Sequence, residues 1–140
     1  MNNTITQLFK GQTARLHRTF TDTDVKNSSK LARDYSPVYN QSEDVWKDYF
    51  DRPIVPALLT EGLITEVISK ELPGIPCVLL QKDLVFYSPV HVGEQITAEL
   101  VIIDINLERN WLTQKVICYD EAKNEVIKGQ VVVLVLANQN

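Results

Sequence analysis

Histidine is scarce in this chain. His17 and His91 are the only two in 140 residues, and neither has a Cys or a carboxylate at ligand spacing, so the sequence offers no metal site of the usual His/Cys kind. Cysteine is as rare. Cys77 and Cys118 each sit in an apolar run, which predicts buried thiols rather than a disulfide or a zinc pattern. No stretch approaches the roughly eighteen consecutive apolar residues of a membrane helix. The N-terminal run MNNTITQLFKG has no apolar core and no small-residue cleavage site, so no secretory leader is read there and the cytoplasm is the expected compartment. Positive charge is not in excess either: 14 Lys and Arg stand against 18 Asp and Glu, a net charge of -4. That balance gives no electrostatic reason to expect nucleic acid or an anionic membrane as partner. Low-complexity stretches, Gly/Ser linkers and internal repeats are missing too, and 140 residues suit one domain, 1–140, with a single core.

The residues present divide into a mixed first half and a strand-rich second half. Thr13 to Phe20 alternates as a short strand. Thr21-Asp22-Thr23-Asp24 places an N-cap residue three positions before an acid, a capping-box-like start. It predicts a helix from about Asp22 to Asp34 with Val25, Leu31 and Ala32 on the apolar side. Ser36-Pro37 is read as the stop, since a residue before Pro avoids helical backbone. Ser42-Glu43-Asp44 predicts a shorter helix carrying Val45, Trp46 and Tyr49. Pro56 suits a first helical turn. From it runs the most apolar helix, in which Ala57, Leu58, Leu59, Leu63, Ile64, Val67 and Ile68 form a broad stripe fit for burial against a sheet. Leu72-Pro73-Gly74 ends it, after a length of about 21 Å.

Beyond this helix the hydrophobic period becomes two. Strands are expected at 76–86, 95–106, 112–120 and 126–136, with Glu121-Ala122-Lys123-Asn124 as the last hairpin turn. Val131 to Leu136 is apolar on both faces, which predicts cover on both sides or a partner subunit. One long hydrophobic helix followed by long antiparallel strands implies an α+β domain, an antiparallel sheet wrapped around a central helix.

Two runs carry a resemblance to a known family: Ala32-Arg33-Asp34-Tyr35-Ser36-Pro37-Val38-Tyr39, and Phe50-Asp51-Arg52-Pro53-Ile54-Val55-Pro56-Ala57. They resemble the active-site strip of the MaoC-like (R)-specific enoyl-CoA hydratases and acyl dehydratases, usually D-x-N-P-x-H and then a stretch ending V-H-G before a long helix. The likeness continues through Leu72-Pro73-Gly74, Phe86-x-x-Pro89-Val90-x-Val92-Gly93-Glu94, Thr97-Ala98-Glu99 and Gly129, so it spans roughly Gly11 to Leu136. It implies a hotdog fold, a homodimer, and as ligand an acyl-CoA or acyl-carrier thioester, with no cofactor.

The resemblance also implies roles. Asp34 matches the base that takes a proton from water. Ser36 stands where the family has a supporting Asn, and Tyr39 where it has the catalytic His. Ala57 matches the Gly whose backbone N–H polarises the thioester carbonyl, a main-chain function that a substitution can preserve. Pro56 replaces the His before it. Thr65, Leu58 and Ile68 are expected along the acyl channel. A phenol with a reference pKa of about 10 cannot accept a proton at neutral pH as imidazole does, so the expected activity is lyase chemistry that is weak or altered. Two other readings stay open: a catalytically silent acyl-thioester binder or partner subunit, and a hotdog thioesterase using Asp34 or Glu61 to activate water. Each residue also has an ordinary structural explanation. Asp34 and Ser36 suit a turn before Pro37, Tyr39 suits packing with its hydroxyl paired, and Glu61 and Glu66 suit a solvent-facing rim. His91 is the one residue placed to bring an imidazole in from elsewhere. Lys82, Arg109 and Lys115 are candidates for the carrier's phosphates.

Overall fold

The computed structural model describes residues 5–136; residues 1–4 of the N-terminal run discussed above lie outside the described residues. Seven strands and two helices follow in the order β1 (Thr13–Thr19), α1 (Asp22–Ala32), β2 (Ile54–Val55), α2 (Ala57–Lys70), β3 (Cys77–Phe86), β4 (Val90–His91), β5 (Gln95–Asn106), β6 (Trp111–Asp120) and β7 (Glu125–Val135). Single 3₁₀ turns occur at Ile5–Gln7, Pro37–Tyr39 and Val45–Asp48. Five strands form one antiparallel sheet in the order β1-β5-β6-β7-β3, and β2 pairs with β4 in a separate two-stranded ribbon.

The period-two pattern of the second half does what alternation does on a half-buried sheet. Ile96, Ala98, Leu100 and Ile102 on β5, and Leu112, Val116 and Cys118 on β6, all point into the core. Leu63, Ile64 and Val67 of α2 meet them from the other side. Burying each such aliphatic side chain contributes about 1.5–3 kcal/mol, so the helix is held by its apolar face. One polar residue joins this core. Gln114 of β6 is fully buried, and its Nε2 donates to the Leu72 carbonyl just past α2 at 2.7 Å. It satisfies an acceptor that a helix end would otherwise leave unpaired.

Several expectations are corrected here. α1 stops at Ala32, ahead of Asp34, because Arg33 adopts left-handed backbone (φ 55°) and donates its N–H to the Ser29 carbonyl. Its capping box at Thr21 and Asp24 is present as expected, and the hydrogen bond from the Thr21 backbone N–H holds the Asp24 carboxyl below its ordinary range. Only Val25 of the expected apolar side is buried; Leu31 is 90% exposed and Ala32 is exposed. The residues from Val45 form a 3₁₀ turn instead of a helix. The ribbon of β2 and β4 is too short for any periodicity to announce.

The apolar last strand has a different explanation from a partner subunit. β7 is an interior strand, hydrogen-bonded to β6 on one side and β3 on the other, and Val131, Val132, Val133 and Val135 are buried within the described chain. The open edges are β1 and β3. On β3 and just beyond it, Val78, Leu79, Leu80, Val85, Phe86 and Tyr87 are all exposed, an unusual load of apolar side chains for a free sheet edge. No helix among the described residues is long and apolar enough to cross a membrane.

Gly129 of β7 lies opposite Leu84 of β3. A Cβ at this position would stand 1.9 Å from the Asp83 carbonyl oxygen, so only glycine permits this approach of the two backbones. Gly129→Ala is expected to lower stability by about 1–3 kcal/mol, the usual cost of overpacking, measured as a fall in the urea midpoint. An unchanged midpoint would mean that β3 moves away from β7 without cost.

Candidate functional site

The left-handed turn at Arg33 takes the chain off the axis of α1. The N–H of Asp34 also donates to the Ser29 carbonyl, at 3.0 Å, and this fixes where Asp34 leaves the helix. Asp34 Oδ1 then accepts the Ser36 backbone N–H at 3.2 Å, a side-chain turn of the kind Asp favours before Ser-Pro. Pro37 opens the 3₁₀ turn that ends in Tyr39, whose N–H donates to the Ser36 carbonyl at 3.1 Å. The ordinary explanation for Asp34 and Ser36 is therefore met by one carboxylate oxygen and one backbone N–H.

These residues surround a cleft of about 300 Å³ between α1 and the segment that follows it. Asp34, Tyr35, Ser36, Tyr39, Asn40 and Gln41 line one side; Asp22, Val25, Lys26, Ser29 and Lys30 line the other. Asp34 is exposed and Ser36 and Tyr39 are half-buried. Within the cleft, Asp22 accepts a hydrogen bond from Gln41 Nε2 at 2.7 Å and an ion pair from Lys26 at 3.0 Å. A second cavity of about 200 Å³ lies on the other side of Tyr39, between Ala57 and Thr60 of α2, the β2 ribbon strand and the Phe86–Val90 loop. Tyr39 lines both cavities.

Burial raises the Tyr39 phenol above its ordinary value, and the Asp34 carboxylate nearby raises it further. Both causes disfavour the phenolate, so Tyr39 stays a neutral O–H donor throughout the physiological range. Ala57 opens α2, and the first intrahelical bonds run from the Leu59 and Thr60 N–H groups to the Pro56 carbonyl at 3.0 and 3.2 Å. The N–H of the first helical residue has no intrahelical acceptor as a rule, and helix N-termini favour negative charge.

The structure thus brings Asp34, Ser36, Tyr39 and Ala57 to one pair of adjoining cavities. It places the other expected residues elsewhere. Thr65 and Ile68 line a third cavity, about 440 Å³, with Ser69, Gly74, Ile75, Pro76, Cys77, Leu79 and Val133. Leu58 is 59% exposed and borders none of these three cavities. Glu61 does not reach the cleft; its carboxylate pairs with Lys82 of β3. Glu66 pairs with Lys70 at 2.9 Å on the same helix. His91 belongs to the β2–β4 ribbon, where its Nδ1 lies 3.3 Å from the Arg52 carbonyl, and it lines a cavity with Glu94 and Asp120. It therefore brings no imidazole to Asp34. Arg109 stacks 5.1 Å over the Trp111 ring, and Lys115 lines a separate cavity with Asp83 and Tyr87. Neither lines the cleft. Cys77 and Cys118 are free, and burial pushes the Cys118 thiol up to about 12.

Two lining residues carried no signal in the sequence. Thr60 is buried beside the second cavity and directs its hydroxyl at the Pro56 carbonyl at 3.5 Å, but it sits inside an apolar stripe. Lys30 is an ordinary last-turn cation until the chain folds back past it.

Similarity to known proteins points the same way. No protein-family model matches the chain. Over 128 residues it is 27% identical to an (R)-specific enoyl-CoA hydratase of Rhodospirillum rubrum, covering 91% of this chain and 88% of that protein. It is 31% identical over 100 residues to a mitochondrial 3-hydroxyacyl-[acyl-carrier-protein] dehydratase of Solanum lycopersicum, covering 71% of this chain and 59% of that one. The solved structure of the (R)-hydratase from A. caviae involved in PHA biosynthesis superposes with a TM-score of 0.86 at 27% identity, over 92% of this chain and 98% of the other. The fold is the α+β hotdog fold, a five-stranded antiparallel sheet packed against a central helix. The proteins this chain is similar to include (R)-specific enoyl-CoA hydratases and 3-hydroxyacyl-[acyl-carrier-protein] dehydratases.

The shift at Tyr39 has a direct readout. In a spectrophotometric titration, the difference between the wild type and Tyr39→Phe is expected to report one phenol ionising above pH 10, later than an exposed tyrosine. A phenol titrating at or below the ordinary value would show that Tyr39 is neither shielded nor near the Asp34 charge.

Proposed function

We propose that this protein binds an acyl-CoA or acyl-carrier thioester and is a MaoC-like lyase of the (R)-specific enoyl-CoA hydratase and 3-hydroxyacyl dehydratase kind, with chemistry altered by Tyr39. The observation that carries the reading is the convergence of Asp34, Ser36 and Tyr39 on one cleft that adjoins Ala57 at the start of α2. The similarity to hydratases over nine-tenths of the chain supports it.

The roles follow from the chemistry. Water adds across the C2–C3 double bond of a trans-2-enoyl thioester: its oxygen bonds to C3, and its proton is delivered to C2. Asp34 is the base that takes the proton as oxygen attacks. The Ala57 N–H faces the thioester oxygen, where charge develops in the transition state. Ser36 holds Asp34 through its backbone N–H. Tyr39 donates a hydrogen bond to the water or the carbonyl, and it cannot relay a proton as a base. Thr65 and Ile68, eight and eleven residues along α2 from Ala57, bound the acyl chain about 12–16 Å from the carbonyl. Leu58, exposed at the first turn, contributes only where a second subunit covers it. The molecule acts as a homodimer, supported by the exposed apolar residues of edge strand β3; light scattering is expected to give twice the chain mass.

The neutral, half-buried phenol favours one competing reading, a silent acyl-thioester binder. A single assay of crotonyl-CoA hydration by absorbance separates the two. The wild type is expected to turn over slowly, Tyr39→His to gain about 10²-fold or more, as restoring a general acid/base does, and Asp34→Ala to lose activity in either background. If Tyr39→His gains nothing while butyryl-CoA still raises the melting temperature, the silent binder is correct. Release of free thiol without hydration would point to thioester hydrolysis instead.

A further inference from the structure

The proposed ligand is anionic, and the protein it must enter is itself acidic at net charge -4, so a local cation has to receive the ligand's phosphate. The three cations the sequence suggested are engaged or remote. Lys82 is paired with Glu61, Arg109 lies over Trp111, and Lys115 lines a cavity apart from the cleft. Two cations line the cleft that holds Asp34 and Tyr39, namely Lys26 and Lys30. Lys26 is neutralised by Asp22 at 3.0 Å. Lys30 is exposed and has no ion pair among the described residues.

Direction matters as much as charge. If the thioester carbonyl sits at Ala57 and the acyl chain follows α2 towards Thr65 and Ile68, the carrier arm leaves on the opposite side, over α1. Lys30 stands in the last turn of α1 and lines the same cleft as Asp34, and its flexible stem adds further reach. A compact ammonium on a mobile stem suits a phosphate that arrives with either of two carriers. We propose that Lys30 is the phosphate-holding residue of this cleft, receiving the phosphopantetheine-type phosphate of the carrier that bears the acyl thioester. The inference rests on the acyl-thioester reading above and adds a specificity residue to it. Asp34, the acid of the cleft without an ion pair among the described residues, sharpens the requirement, because without Lys30 it would repel the arriving phosphate.

Binding of butyryl-CoA, butyryl-pantetheine (which lacks all phosphates) and a butyryl-loaded carrier protein tests this by calorimetry at two salt concentrations. The wild type is expected to prefer butyryl-CoA over butyryl-pantetheine. Lys30→Gln should lower butyryl-CoA affinity about three- to tenfold, in line with loss of one charge-assisted contact. It should leave butyryl-pantetheine affinity unchanged and flatten the salt dependence. Lys115→Gln should change nothing. The carrier-protein arm shows which source of phosphate the site serves, since the affected carrier is the one whose affinity falls in Lys30→Gln. Equal losses for both small ligands, or for none, would overturn the role of Lys30. So would a lowered melting temperature with unchanged affinities, which would mean Lys30 serves only the dipole at the C-terminus of α1. If the wild type binds none of the three, the acyl-thioester reading fails, and this inference fails with it.

Discussion

The molecule depends on the burial of α2 against one face of the five-stranded sheet. Leu63, Ile64 and Val67 are sealed between that helix and the strands, and Gln114 fixes the far end by hydrogen bonding to Leu72. With the far end and the apolar face tied down, the N-terminus of α2 has one place to be. That place is beside Tyr39, so the amide-rich start of a helix faces a cavity without any glycine or charged residue to direct it there. The core and the site are consequences of the same packing, and the site inherits its rigidity from it.

Against this fixed wall stands a second one of a different kind. The segment from Arg33 to Tyr39 is held by short-range hydrogen bonds: two N–H groups to Ser29, Ser36 to Asp34, Tyr39 to Ser36. Tyr39 is where the walls meet, since it borders the cavity at α1 and the cavity at α2 alike. Imidazole at such a junction could exchange a proton with water in the pH range where proteins work. The phenol cannot, because burial and the neighbouring carboxylate both favour its neutral form. In the proposed function, the chemistry therefore turns on what a neutral phenol at position 39 can do.

Much of this was legible in the sequence, for physical reasons that differ by element. Strands β3, β5, β6 and β7 and helix α2 announce themselves, since a two-residue period and a broad apolar stripe each specify what must be buried. The capping box at Thr21 likewise marks the start of α1. The end of α1 is not legible, because Arg33 takes left-handed backbone where glycine would be the usual sign. Leu31 misleads for a related reason: its helical position looked apolar-facing, yet the helix lies so that only Val25 is covered. The valines of β7 implied cover on both sides or a partner subunit, and Val131, Val132, Val133 and Val135 are buried within the described chain. For the site, the motif placed Asp34, Ser36, Tyr39 and Ala57 together. It could not place the partners of Glu61 and His91, or the cation Lys30, because those depend on which elements pack side by side.

The central claim is that Asp34, Tyr39 and the start of α2 form a single acyl-thioester site. A crystal structure of the protein with butyryl-CoA, which has no double bond to hydrate, tests it most directly. The account predicts the thioester oxygen at the Ala57 N–H, C3 of the acyl group facing the Asp34 carboxylate, and Tyr39 in contact with both ligand and cavity wall. A butyryl group bound away from Asp34 and Ala57, with the cleft beside α1 left to solvent, would contradict it.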